Sequence, residues 1–175
     1  MKLIKSFLEI GQIVGTHGVS GELRVNPWCD TPDFFKDFKI LYFDEKGVQV
    51  AKVVSCRPHG NIVLLCLEGV TGIDAAAALR GKVLFMCRKD AHLPEGRYFV
   101  SDLVDCKVID ADDEIKSYGV LTDVSQTCAN DVWHIKGSDG KEYLLPAIPH
   151  VVIHTDIEAG IVKIRPLEGI FNDED

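Results

Sequence analysis

A chain of 175 residues, 46% hydrophobic and 26% charged, has the makeup of a globular protein and can bury one ordinary core or two small ones. Its longest apolar candidate, Ile62–Leu67, is strand-sized and far short of the about 20 residues that span a bilayer. The formal charge of −8 is unevenly spread: residues 1–90 carry 12 Lys+Arg against 10 Asp+Glu, and residues 91–175 carry 7 against 17. So acidic a second half is a poor grip for RNA phosphates and suits a basic protein partner, whose approach it would steer.

In chain order, Glu9 interrupts the first apolar run before a signal-peptide core forms, and no small-residue cleavage site follows; a cytoplasmic protein is expected. Leu8–Val14 and Glu22–Trp28 read as strands joined by a turn containing Gly15, Gly18 and Gly21. No Lys-Ser or Lys-Thr pair follows these glycines. They are therefore expected to supply positive φ and close backbone approach in a hairpin, not a phosphate cradle. Asp30-Thr-Pro starts a short helical turn whose Phe34, Phe35 and Phe38 would cover one end of a barrel. Strands at Ile40–Phe43, Val48–Cys56, Ile62–Leu67 and Val83–Cys87 follow, with a helix over Gly72–Arg80 stopped by Gly81. Six short strands and one helix suggest a small closed barrel.

Residues 91–97 break the pattern where the charge changes sign, and mark a linker between a domain at 1–90 and one at 98–175. Cys106–Ile109 and Gly119–Val124 flank the acidic turn Asp110–Glu114. Val132–Ile135 pairs with Glu142–Leu145 across Gly137–Gly140, and Val151–Ile157 with Ile161–Ile164 across Glu158–Gly160. A second small β-barrel or open sheet is expected, making the chain all-β with a minor helix. The acidic tail at 172–175 is read as a solubilising end.

The six cysteines, at 29, 56, 66, 87, 106 and 128, are at least ten residues apart. They read as small buried hydrophobes, with no metal or disulfide framework. His150 and His154 would share one face of a strand without a third ligand. His17, among the glycines, is the best single candidate for a general base or an RNA-stacking ring. It has no identifiable acid or nucleophile beside it in sequence, so no catalysis is assigned and the chain reads as a binding protein without a cofactor.

The stretch G-Q-I-V-G-T-H-G-V-S-G-E-L-R-V at 11–25, followed by D-T-P-D-x-F, resembles the N-terminal signature of the RimM family of bacterial ribosome maturation factors. L-P-E-G-R-Y-F-V-S-D-L-V-D-C-K-V, Y-G-V-L-T-D-V-x-x-T-x-A-N-D-V and K-E-Y-L-L-P-A-I resemble the PRC barrel of that family. Asp105 departs from a common glycine, and Phe99 from a Tyr-Tyr pair. The resemblance implies a translation-factor-like N-terminal barrel and a C-terminal PRC barrel. It also implies a monomeric accessory factor for assembly of the small (30S) ribosomal subunit. Such a factor would bind the head ribosomal protein numbered nineteen on the immature subunit and promote 16S rRNA processing and head maturation. The resemblance also implies that Tyr98 and Phe99 lie at the partner contact. Gly15, His17, Gly18, Gly21 and Arg24 form a structural loop or an RNA contact. A flavin-reductase-like barrel enzyme and a membrane-associated PRC-barrel module are the alternatives.

Overall fold

The computed structural model describes residues 4–127 and 129–171; Cys128 and the acidic tail at 172–175 lie outside them. The chain separates into two compact units that part between Leu93 and Pro94.

In the first unit, strands β1 (Phe7–His17), β2 (Glu22–Pro27), β3 (Ile40–Tyr42), β4 (Val50–His59), β5 (Ile62–Leu67) and β6 (Val83–Cys87) close a barrel in the order β1-β2-β5-β4-β3-β6. β1 closes it by serving two partners. Its first half pairs with β6 and its second with β2, and the register shifts at Glu9/Gly11 and Ile13/Gly15. Irregularities of this kind bend a strand and let it turn a barrel corner. Inward residues alternate along the strands (Leu23 and Val25 on β2, Leu84 and Met86 on β6) and are buried with Ile10, Ile13 and Leu41. The turn at Pro32–Asp37 buries Phe35 and leads to buried Phe38, while half-buried Phe34 packs edge-on against Phe38.

The helix is shorter than its alanine-rich stretch predicts. Helix α1 covers only Ile73–Ala77, after which Leu79, Arg80 and Lys82 donate to carbonyls three residues back. Gly81 N–H then donates to Ile13 O at 2.7 Å and Gln12 Nε2 to Gly81 O at 3.0 Å. The competition is between a further helical turn and docking onto β1, and docking wins.

The second unit carries helical turn α2 (Val100–Leu103) and strands β7 (Lys107–Asp110), β8 (Ser117–Ser125), β9 (Val132–Lys136), β10 (Glu142–Pro146), β11 (Val152–Asp156) and β12 (Ile161–Ile164). They form one six-stranded sheet in the order β10-β9-β8-β7-β12-β11, with β7 and β12 parallel and the other neighbours antiparallel. Leu145 of one end strand and Val152 of the other pack in the same cluster with Val108, Leu121, Trp133, Ile135 and Val162. The sheet is therefore rolled around its core. His150 precedes β11 and only His154 lies in it, facing Lys163 across the pair, so the two histidines do not share a strand face. The five described cysteines are free thiols, and burial pushes Cys29 and Cys56 up to about 11.

The acidic turn after β7 is tied into the fold. Asp110 accepts from the Tyr118 hydroxyl and from the backbone N–H groups of Asp112 and Asp113. The tyrosine bond, with these amides, holds the Asp110 carboxyl below its ordinary range. Arg165 holds Asp112 down through two hydrogen bonds, and Lys163 holds Glu114 down through one. Much of the charge that sequence reading assigns to a partner is thus used within the unit.

Asp105 is the one non-glycine residue with positive φ, at 67°, among the described residues. Val104 before it has φ −56° and ψ 138°, and Cys106 N–H donates to Leu103 O at 3.0 Å. That is a type II turn, whose third position favours glycine. The departure at 105 from a glycine thus falls where a side chain is strained. Relief of about 1–2 kcal/mol, less the unfolded-chain entropy that glycine adds, predicts that Asp105→Gly stabilises the protein by about 0.5–1 kcal/mol. A urea midpoint that rises accordingly supports this; a lower midpoint contradicts it.

Candidate functional site

Sequence reading singles out two regions, one in each unit. In the first, β1 and β2 bring Gly15, His17, Gly18, Gly21 and Arg24 onto one hairpin, with Gly15 facing Arg24 and His17 facing Glu22. β1 runs three residues past its expected end because Gly15 is accommodated as strand next to a register shift that leaves Val14 exposed. Gly15 accordingly lacks positive φ, contrary to expectation. Gly18 and Gly21 have it, at 63° and 97°. They differ in surroundings: a Cβ on Gly18 meets nothing within 4 Å, whereas one on Gly21 comes within 2.7 Å of Val70 O and 3.0 Å of Gly72 N.

The turn end of the hairpin carries a charged cluster. Glu22 accepts two hydrogen bonds from Arg57, from Nε at 3.2 Å and from the terminal nitrogen at 3.1 Å. His17 Nε2 lies 3.9 Å from Glu22, and its ring centroid is 5.9 Å from that of His59. Arg24 is exposed on β2 and makes no ion pair with a described residue. Sequence reading missed Arg57 and His59, which arrive on β4 from more than thirty residues away. The barrel order alone makes them neighbours of the hairpin. The cluster gathers one guanidinium and two imidazoles around a carboxylate, with Glu22 restraining Arg57.

In the second unit, Tyr98 is 38% exposed and Val100, at the start of α2, is 39% exposed. Phe99 is half-buried and holds the turn through its carbonyl, which accepts from Asp102 N–H at 2.9 Å and Leu103 N–H at 3.3 Å. The two rings therefore have unequal roles. Tyr98 is presented to solvent, and Phe99 starts the turn that positions it. Buried Asp102 on the same turn carried no signal in the sequence.

One arrangement resembles a catalytic relay. Ser125 Oγ lies 2.7 Å from His134 Nε2, and His134 Nδ1 lies 3.2 Å from Glu142 Oε1. It runs across the outer face of β8, β9 and β10, with Ser125 and Glu142 exposed. Acyl transfer also needs donors aimed at a developing oxyanion in a water-poor site, and an open strand face is not one. The row is a cross-strand side-chain ladder. Among the described residues no group of three or more His, Cys, Asp or Glu is arranged to hold a metal ion.

Comparison with known proteins is consistent across both units. Residues 8–91 match the RimM N-terminal domain model and residues 100–170 the RimM PRC barrel domain model. The ribosome maturation factor RimM of Clostridium botulinum (strain Langeland) is 40% identical over 166 residues, covering 94% of this chain and 97% of that protein. That of Clostridioides difficile (strain 630) is 34% identical over 173 residues, covering 98% and 100%. A crystal structure of a RimM-type 16S ribosomal RNA processing protein from Pseudomonas aeruginosa is 29% identical and covers 90% of this chain and 96% of that one. Its TM-score of 0.45 is too low to add weight.

The two hairpin glycines predict different penalties. Gly18→Ala suffers only from backbone conformation and should cost about 1 kcal/mol. Gly21→Ala must also displace backbone and should cost at least about 2 kcal/mol. Chemical denaturation of both variants checks the order; equal or reversed losses would refute the packing assigned to Gly21.

Proposed function

This chain belongs to the RimM family of ribosome maturation factors, and we propose that it serves assembly of the small (30S) ribosomal subunit by binding, without making or breaking a covalent bond. The observation that carries the reading is the match of both units, in order, to the two domains of the family. Residues 91–97 act as the linker between them. The factor works as a monomer in the cytoplasm, on an immature subunit containing 16S rRNA, and promotes processing of that RNA and maturation of the head.

The second unit docks on the head ribosomal protein numbered nineteen. Tyr98 and Val100 supply exposed apolar area, and an aromatic ring is a favoured anchor at the centre of an interface. Glu95 and Asp105, in the same stretch, make no ion pair with a described residue and remain available to a basic partner. Arg24 and the His17–His59 pair on the first unit supply the contact to rRNA. Release follows if the factor prefers one conformer of the immature head and loses affinity as mature contacts form. No helix among the described residues is long and apolar enough to cross a membrane, so the membrane-module alternative would need another means of attachment. A bound flavin chromophore in the purified protein would revive the enzyme alternative.

Tyr98→Ala, which spares the carbonyl-held turn at Phe99, should weaken capture of immature small subunits by tenfold or more, taking about 2 kcal/mol for an anchor residue. Tyr98→Ala with Phe99→Ala should weaken it further, with the circular dichroism spectrum checking the fold. Full capture by both variants would remove the anchor role.

A further inference from the structure

The cations of the second unit are not equivalent. Arg97 pairs with Asp131, Lys163 with Glu114 and Arg165 with Asp112. Lys116 lies 5.0 Å over the Tyr118 ring, and Lys141 has a partner of its own. Lys107 and Lys136 make no ion pair with any described residue. They also stand in one row. Lys107 on β7 faces Val120 on β8, and Val120 faces Lys136 on β9. Directly opposed residues of antiparallel strands point to the same face. Val108, Leu121 and Ile135, the chain neighbours of the three, are fully buried, so Lys107, Val120 and Lys136 point outward. Strands about 4.8 Å apart put the two lysine Cα atoms about 10 Å apart.

Both lysines line one surface cavity of about 640 Å³, together with Ser117, Gly119, Val120 and Thr122. Gly119 is required in its wall, since a Cβ there would fall 2.1 Å from Lys136 O. Glu142 stands opposite Lys136 on β10 but makes no ion pair with it. Glu142 is instead bonded to His134 Nδ1 at 3.2 Å. The two ammonium groups thus flank an apolar floor with no carboxylate between them in the row.

We infer that the outer face of β7–β9, at Lys107 and Lys136, is a second RNA contact that takes two backbone phosphates of single-stranded or looped rRNA. The occupant follows from charge: an acidic unit whose other cations have partners leaves, on one face, two ammonium groups with no ion pair to a described residue. The absence of aromatic rings from the cavity lining indicates a backbone contact without base stacking. That this RNA is rRNA rests on the assembly-factor reading; the phosphate chemistry does not.

The test is equilibrium binding of the full chain to a protein-free transcript of the 16S rRNA head domain over a range of salt concentrations. Removing one lysine–phosphate pair lowers the slope of log K against log salt by about 0.7–0.9. Lys107→Ala with Lys136→Ala should therefore flatten it by about 1.4–1.8, and the Arg pair at the same positions should restore it. Thermal midpoints of the variants, both altered at exposed positions, check the fold. An unchanged slope, or no binding of the transcript by the unaltered chain, would overturn the inference. So would displacement from this face by polyglutamate with no response to RNA, which would identify an acidic peptide site. Subunit capture by the Tyr98 variants reads the assembly role separately, so failure of one is distinguishable from failure of the other.

Discussion

The parallel pairing of β7 with β12 is the joint on which the second unit depends. It sets Lys107–Asp110 beside Ile161–Ile164, so that the first strand of the unit and its last lie together within the sheet, with β8–β10 on one side and β11 on the other. Val108, Val162 and Ile164 then meet in one buried cluster. The acidic turn that leaves β7 reaches Lys163 and Arg165 at the far end of β12 through Glu114 and Asp112. Exposed ion pairs of this kind add little stability by themselves. Their larger effect is to decide which charges are committed inside the unit and which are left for a partner.

That division changes what the acidic balance means. Taken as a count, residues 91–175 repel phosphate. Taken in space, several carboxylates already face cations of the same unit, while Lys107 and Lys136 share an outer face. Glu95, Tyr98 and Asp105 are exposed in one stretch of that unit, and Lys107 and Lys136 make no ion pair with a described residue. In the first unit the balance is reversed in detail: Arg57 is bound by Glu22, and Arg24 on the hairpin is exposed and makes no ion pair with a described residue.

Most strands were legible because their signals are local. Alternating burial on β2 and β6, the Gly137–Gly140 turn and the acidic turn after β7 each follow from a few adjacent residues. Shortening of the helix was not legible, because Gly81 docks onto Ile13 of β1, 68 residues earlier in the chain. The bend at Gly15 depends on serving two partner strands, which no local pattern reports. The candidate site divides in the same way. His17, Arg24 and Tyr98 stand in motifs, whereas Arg57, His59 and the Lys107–Lys136 row are made neighbours by strand order alone. Asp105 lies between these cases: its departure from glycine was visible in sequence, but the type II turn that makes it matter was not.

The account rests on two units of one chain presenting separate surfaces to the same immature particle. Crosslinking of the unaltered protein to immature small subunits, with the attached residues and RNA positions identified by mass spectrometry, tests it most directly. The account predicts protein crosslinks from the stretch around Tyr98 to a head protein, and RNA crosslinks from the hairpin that carries His17 and Arg24. Immature subunits that acquire no crosslinks at either place, under conditions where a known small-subunit protein is labelled, would contradict it.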